Sequence, residues 1–311
     1  MAVFGLEPWM LALLAAGGFA CYTVTVEYGM AWTDGEASPV LGAVFVSTVV
    51  VTVSFWAFAA ARGLPAALTD PQRVWPFVVA GVAYPAVFRF LYYEGIDRVG
   101  SSVTAAVLGA YPAVSVLLAV ALLDEVVGLF AASGVALVVG GVVLLQVTQG
   151  SVEAEDVEDV VTGKLAAADT RDLLYPAAAT LLTGAGFVLI DFGLAGFPDP
   201  VAATAVTQTP ALVLFTGWAL VAGAGSGRLR LGRSVLGAFA LAGAFNFVGW
   251  LTNFFALQSG SVVTVVPLLN TTPLLVMVIT YGAERQVPRS TRLVAAVAAI
   301  VVGVTLVQVG T

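Results

Sequence analysis

The sequence predicts an all-α integral membrane protein: ten transmembrane helices arranged as two inverted five-helix repeats. Three observations predict it: a composition that no water-soluble domain sustains, ten apolar segments of bilayer length, and an internal repeat whose unit contains an odd number of segments. Of the 311 residues, 60% are hydrophobic and 10% charged, with a mean hydropathy of +1.01, where a soluble domain carries roughly a quarter charged residues. One bilayer span takes roughly 20 mostly apolar residues, so ten spans use about 200 and leave the remainder for loops and ends. Hydrocarbon offers no water to backbone amides, and the chain lacks the period-two alternation of a barrel, so each span is helical.

Pro, Gly and charged residues cut the segments at Pro8–Tyr28, Pro39–Ala61, Val74–Ile96, Ser101–Leu123, Val126–Gln146, Leu173–Leu194, Pro200–Gly223, Ser234–Leu257, Ser261–Tyr281 and Leu293–Val309. The first is too long for a signal-peptide core and follows a stretch without Lys or Arg, so it reads as a transmembrane helix. Only four of the 31 charged residues fall inside spans: Glu27, Arg89, Glu94 and Asp191. The gap at 148–172 holds seven acids against Lys164 and Arg171, the composition of a solvated linker. It divides the chain into a first repeat, 1–147, and a second, 173–311.

The halves echo each other in detail. Ala136, Gly141, Leu144 and Gln146 in the fifth span match Ala298, Gly303, Leu306 and Gln308 in the tenth. Ser102 precedes Glu125 by 23 positions, and Ser261 precedes Glu284 by the same 23. Gly18-Phe19 matches Gly186-Phe187, and the second and seventh spans both open on Pro-Val. Because five is odd, the second copy enters the membrane from the opposite side, and such inverted repeats are the architecture of alternating-access carriers. One fold present in both orientations supplies two oppositely open states of similar energy.

The stretches Tyr93 to Ser102, Tyr111-Pro112 and Leu123-Asp124-Glu125, with their partners Phe255 to Ser261, Thr272-Pro273 and Ala283-Glu284, resemble the paired EamA repeats of the drug/metabolite transporter superfamily. The resemblance covers nearly the whole chain. It implies a ten-helix carrier in the cytoplasmic membrane, commonly an exporter, with a central cavity lined by spans one to four and six to nine.

Polarity assigns the pathway independently. The fifth and tenth spans carry few polar residues and read as lipid-facing or purely packed, while the other eight hold the polar load. Asn246, Trp250 and Asn253 follow i, i+4, i+7 on one helical face. Gln208 follows Thr204 by four, and Arg89 sits beside Tyr92 and Tyr93. With Tyr111, these residues form the candidate substrate-binding set, because such stripes are costly against lipid. Arg89 either meets an anionic substrate or is locked by Glu27 or Glu94 in an ion pair. Glu27 and Asp191 are the candidates for coupling transport to protons. Pro112 and Pro273, in corresponding places of the two halves, are the candidate hinges of discontinuous helices.

Other chemistry lacks raw material. There is no histidine and one cysteine, Cys21, so Ser-His-Asp catalysis and His-rich metal sites are not expected. No cofactor, metal or catalytic residue is assigned, and no Walker-type loop offers ATP a place. Twelve basic residues against 19 acidic ones give no nucleic-acid footprint. The expected partners are a small-molecule substrate, the bilayer and protons, in a monomer or homodimer. The alternative is a membrane scaffold or lipid-handling protein, which needs no polar cavity.

Orientation divides two arguments. Arg228, Arg230, Arg233, Arg285, Arg289 and Arg292 share one side against Arg62 and Arg73 on the other, which favours external termini. The resemblance implies cytoplasmic termini, and we follow it. In a Cys21→Ser chain, the substitutions Ser151→Cys and Ser226→Cys should then react with an impermeant maleimide in intact cells. Labelling only after lysis reverses the orientation.

Overall fold

The computed structural model describes residues 5–32, 39–149, 171–223, 232–284 and 291–310. Among them, nine helices have the length and hydropathy of a membrane span, and Pro200–Gly223 supplies the tenth. The spans run Pro8–Ala31, Pro39–Arg62, Pro71–Val99, Ser101–Leu122, Leu129–Gln149, Leu174–Gly196, Pro200–Gly223, Arg233–Ser259, Val262–Glu284 and Thr291–Gly310. The protein is an all-helical, ten-span membrane protein of two five-helix repeats. Most of the acidic linker lies outside the described residues.

Alternate crossing puts the starts of the first, third, fifth, seventh and ninth spans at one end, here the terminus end. Their other ends lie with the linker. Acidic side chains cap helices at the terminus end. Asp70 accepts from Gln72 N–H at the start of the third span, and Asp199 accepts from Val201 and Ala202 N–H at the start of the seventh. These carboxylates satisfy otherwise unpaired amides and sit at the positive end of the helix dipole.

Helix packing repeats under exchange of the halves. The first span lies on the eighth as the sixth lies on the third, and the first lies on the ninth as the sixth lies on the fourth. The second and seventh, fourth and ninth, and fifth and tenth pack as pairs. Two four-helix bundles result, one of spans one, two, eight and nine, the other of spans six, seven, three and four. Each bundle draws two spans from each half. The bodies that face each other are therefore interleaved from both repeats, rather than being the two halves of the sequence.

The fifth and tenth spans pair outside these bundles. Their contact residues, Ala131, Gly134, Val138, Gly141 and Leu145 against Leu293, Ala296, Ile300, Gly303, Val307 and Gly310, alternate at spacings of three and four. Such a seam keeps one stripe of each helix facing the other. Glycine sets its closeness: a Cβ on Gly303 would lie 2.8 Å from both Gly134 O and Val138 N. Lipid tails are as apolar as side chains, so close backbone approach and its dispersion contacts, not exclusion of water, hold this pair. Val294, Val301, Val302 and Val309 turn outward.

Gly303→Val should therefore cost about 1–3 kcal/mol as overpacking against rigid backbone. Gly140→Ala, where a Cβ meets nothing within 4 Å, should leave the thermal midpoint in detergent nearly unchanged.

Candidate substrate cavity

Three spans break near mid-membrane. In the third, Tyr84 leaves helical geometry at φ −143°, ψ 112° before Pro85, inside the wide turn Val82–Val87. The fourth is split into Ser101–Leu108 and Tyr111–Leu122, and the ninth into Val262–Leu269 and Thr272–Glu284. Each of these two breaks lies immediately before the Tyr111-Pro112 or Thr272-Pro273 pair. Proline tolerates the first turn of a new helix because its missing N–H would be unpaired there anyway. The two breaks touch: Asn270 Nδ2 donates to the Gly109 carbonyl at 3.0 Å, both groups buried. Gly109 and Asn270 are 161 residues apart, as are Pro112 and Pro273, so equivalent points of the two repeats meet.

The bundles close at one end and part at the other. At the terminus end, Pro71–Gly81 packs on the seventh span, and Tyr111–Leu122 packs on Val262–Leu269. A Cβ on Gly81 would collide with the Thr207 carbonyl, so only glycine permits that approach. Glu125 Oε1 and Oε2 accept from Val262 and Val263 N–H at 2.9 and 3.1 Å, while Ser261 Oγ accepts from Thr264 N–H. Thus an acid of the first repeat caps a helix of the second. Gln258 donates to Pro198 O, and Arg62 pairs with Asp199 at 3.8 Å. The linker-end halves of the same spans, Phe88–Val99 against the seventh and Ser101–Leu108 against Thr272–Glu284, form no comparable packing among the described residues.

Aromatic rings make the floor of the resulting cavity. Trp250 of one bundle meets Tyr84 of the other at 5.6 Å between centroids. Phe19 lies edge-on to Trp250, and Phe187 lies between Tyr84 and Tyr111. Below the floor, Phe55, Phe77, Phe197 and Phe254 are fully buried and pack the terminus end shut. Above it, Phe88, Tyr92 and Tyr93 continue the ring contacts up the third span. Tyr84 and Tyr111 keep part of their surface accessible although protein surrounds them, as expected for a cavity wall.

Arg89 sits about one helical turn above Tyr84, in electrostatic range of Tyr84 and Tyr93. Its Nη1 lies 3.5 Å from Thr48 Oγ1, and its guanidinium stands over Phe215 at 5.6 Å. The expected lock by Glu27 or Glu94 does not form among the described residues. Glu94 bonds Arg98 at 2.7 Å instead, and Arg98 also holds Asp172 at the linker. Glu27 is exposed near the linker end of the first span.

A model of the EamA-like transporter family matches residues 8–147 and again 172–309. The chain belongs to the EamA-like transporter family. It is a membrane transporter of the drug/metabolite type. Twenty-four chains of known structure match it; one crystal structure aligns with a TM-score of 0.72 at 18% identity, over 95% of this chain and 96% of that one. That likeness speaks to the fold. No curated protein matches the sequence.

Within this EamA-like fold, Arg89, Tyr92, Tyr93 and Tyr111 are half-buried on the linker-end side of or within the aromatic floor, and Trp250, 3% exposed, packs behind Tyr84. Asn246, Gln208 and Asn253 are at most 4% exposed, in the packed interior rather than on the open wall. Asp191 lies in the terminus-end half of the sixth span, in electrostatic range of Glu125 and on the other side of the floor from the opening. Sequence reasoning missed Tyr22, Phe19, Phe187, Thr48 and Phe215. Phe19 and Phe187 stood out only as the matched Gly-Phe pairs of the two halves, with no role attached, and the other three only as a large or polar residue within a span, which apolar text hides.

Gln208 Nε2 and both amide atoms of Asn253 are buried without a hydrogen-bond partner, at a cost of about 1–3 kcal/mol per group. Asn253→Leu and Gln208→Met should each raise the thermal midpoint while lowering transport. A fall in stability would mean that these amides are satisfied in the resting protein.

Proposed function

We propose that this protein is a secondary active carrier, an exporter in the cytoplasmic membrane, that moves a small metabolite or drug-like solute by alternating access. The observation that carries the reading is one-sided packing: the same spans are sealed at the terminus end and separated at the linker end, with an aromatic floor between. In the opposite state the bundles rock on the Gly109–Asn270 contact, so the linker-end halves meet and the Glu125 cap releases the ninth span. The repeat supports this, because Glu284 stands at the position of Glu125 in the second half. Gln208 and Asn253, dry and unpaired in the sealed half, then gain water or substrate as partners. Asp191 is the carboxylate best placed to carry a coupling proton, since it lies where the second opening forms. A scaffold or lipid-handling protein has no use for a half-buried mid-span arginine, unpaired among the described residues, above an aromatic floor.

The test locks the seal. In a Cys21→Ser chain, Pro198→Cys and Gln258→Cys face each other across the terminus end and can be bridged by a short bis-thiosulfonate. Cells overproducing the unlocked protein should gain resistance to at least one toxic metabolite analogue in a broad panel. Bridging should abolish movement of that solute in proteoliposomes, reduction should restore it, and Asp191→Asn should remove its dependence on a pH gradient. Transport that continues at full rate through the bridged protein would falsify the rocking mechanism.

A further inference from the structure

Arg89 is a cation that the protein itself leaves underused. A mid-bilayer arginine costs roughly 2.5 to 3.5 kcal/mol on insertion scales and normally recovers that from an acidic partner. Among the described residues Arg62 pairs with Asp199, Arg73 with Asp70, and Arg98 with Glu94 and Asp172; Arg89 enters none of these pairs. Of its five N–H donors, one makes a long contact to Thr48 Oγ1. The Thr48 hydroxyl proton is itself committed to the Val44 carbonyl at 2.6 Å. Phe215 stands 5.6 Å from the central carbon of the guanidinium, a cation–π contact that takes up none of the N–H donors.

Phenols lie near Arg89. Tyr84 and Tyr93 are in electrostatic range of Arg89, and Tyr22 of the first span is in range of both. No hydroxyl hydrogen bond joins Tyr22, Tyr84, Tyr92 or Tyr93 to the described protein, so each has a donor to offer. One guanidinium with phenol donors beside it matches a single negative charge, since an arginine edge takes a carboxylate with two parallel N–H bonds. A turn below, the half-buried rings of Tyr84 and Tyr111 pack on Phe187, and Tyr84 also on Trp250, which offers aromatic surface to a flat apolar body.

We propose that the cavity binds a small monoanion with a planar apolar body, an aromatic or heteroaromatic carboxylate. Its carboxylate lies on Arg89 and the tyrosine hydroxyls, and its ring lies on the aromatic floor. The proposal rests on the carrier reading only for what happens after binding. The charge recognition belongs to this open state alone.

Binding is measured by thermal shift and titration calorimetry on the purified full chain in neutral detergent. The probes are phenylacetate, its neutral isostere phenylacetamide, and the cation phenethylamine. Phenylacetate should bind at least tenfold more tightly than either. Arg89→Gln should abolish that preference, weakening phenylacetate far more than phenylacetamide, and Arg89→Lys should keep a weakened preference, because an ammonium retains the charge without the fork. Tyr93→Phe, which keeps the ring and removes one donor, should weaken phenylacetate several-fold and spares the test from any folding defect at Arg89. Equal or better binding of the amide or the amine, undiminished phenylacetate binding in Arg89→Gln, or no phenylacetate binding at all overturns the proposal. Arg89-dependent binding without movement of radiolabelled phenylacetate into phosphatidylcholine proteoliposomes leaves the site standing and sinks the carrier reading. Movement of other solutes without phenylacetate binding does the reverse.

Discussion

Everything in this fold turns on one buried hydrogen bond, from the Asn270 amide to the Gly109 carbonyl. Both groups sit where a span is interrupted inside hydrocarbon, the setting in which an unpaired backbone carbonyl is most costly. The second repeat supplies the donor for the break of the first, and closes its own break with the Thr271 and Thr272 hydroxyls on the Leu268 and Leu269 carbonyls. The two breaks can exist because they meet, and they meet because the copies run in opposite directions. The bond therefore fixes the point around which two bundles are related, and the helix halves on either side of it are free to pack or part.

Hydrocarbon removes the usual drive for helices to associate, so other forces have to decide which helices touch. Glycines do this along the fifth–tenth seam and at Gly81 against Thr207, where backbone meets backbone. Capping carboxylates do it at the terminus end, where Glu125 crosses from one repeat to the first amides of the other. Such charge-assisted bonds are strong yet reversible, a property suited to a seal that opens. The aromatic floor divides the two regimes. Beneath it phenylalanines exclude water, and above it tyrosines and Arg89 keep accessible surface. Stability and function are thus separated along the membrane normal, with unpaired amides in the dry half as the residue of their conflict.

Much was legible in the text of the chain. Ten spans, the repeat and the inverted topology follow from apolar length and from an odd count. Pro112 and Pro273 marked two of the three breaks; the third, at Tyr84 before Pro85, falls in a span whose repeat counterpart, Arg233–Ser259, is continuous. The paired Ser102–Glu125 and Ser261–Glu284 spacing marked something real, although its meaning was hidden: the acid caps the other repeat, and no sequence separation reveals a partner 137 positions away. The face formed by Asn246, Trp250 and Asn253 was correctly periodic. Periodicity cannot tell a wet face from a dry one, and two of the three turned out to be buried polar residues.

By itself the sequence determined the solvent, the number of crossings and the inversion, because hydrocarbon demands runs of apolar residues and an odd repeat must reverse. Only the tertiary structure decided that the working bodies mix spans of both halves, that Glu125 caps the ninth span, and that Arg89 takes no acidic partner among the described residues. Those outcomes depend on which helix faces touch at a given depth. Depth and facing are set by contacts between residues more than a hundred positions apart, which no local pattern encodes.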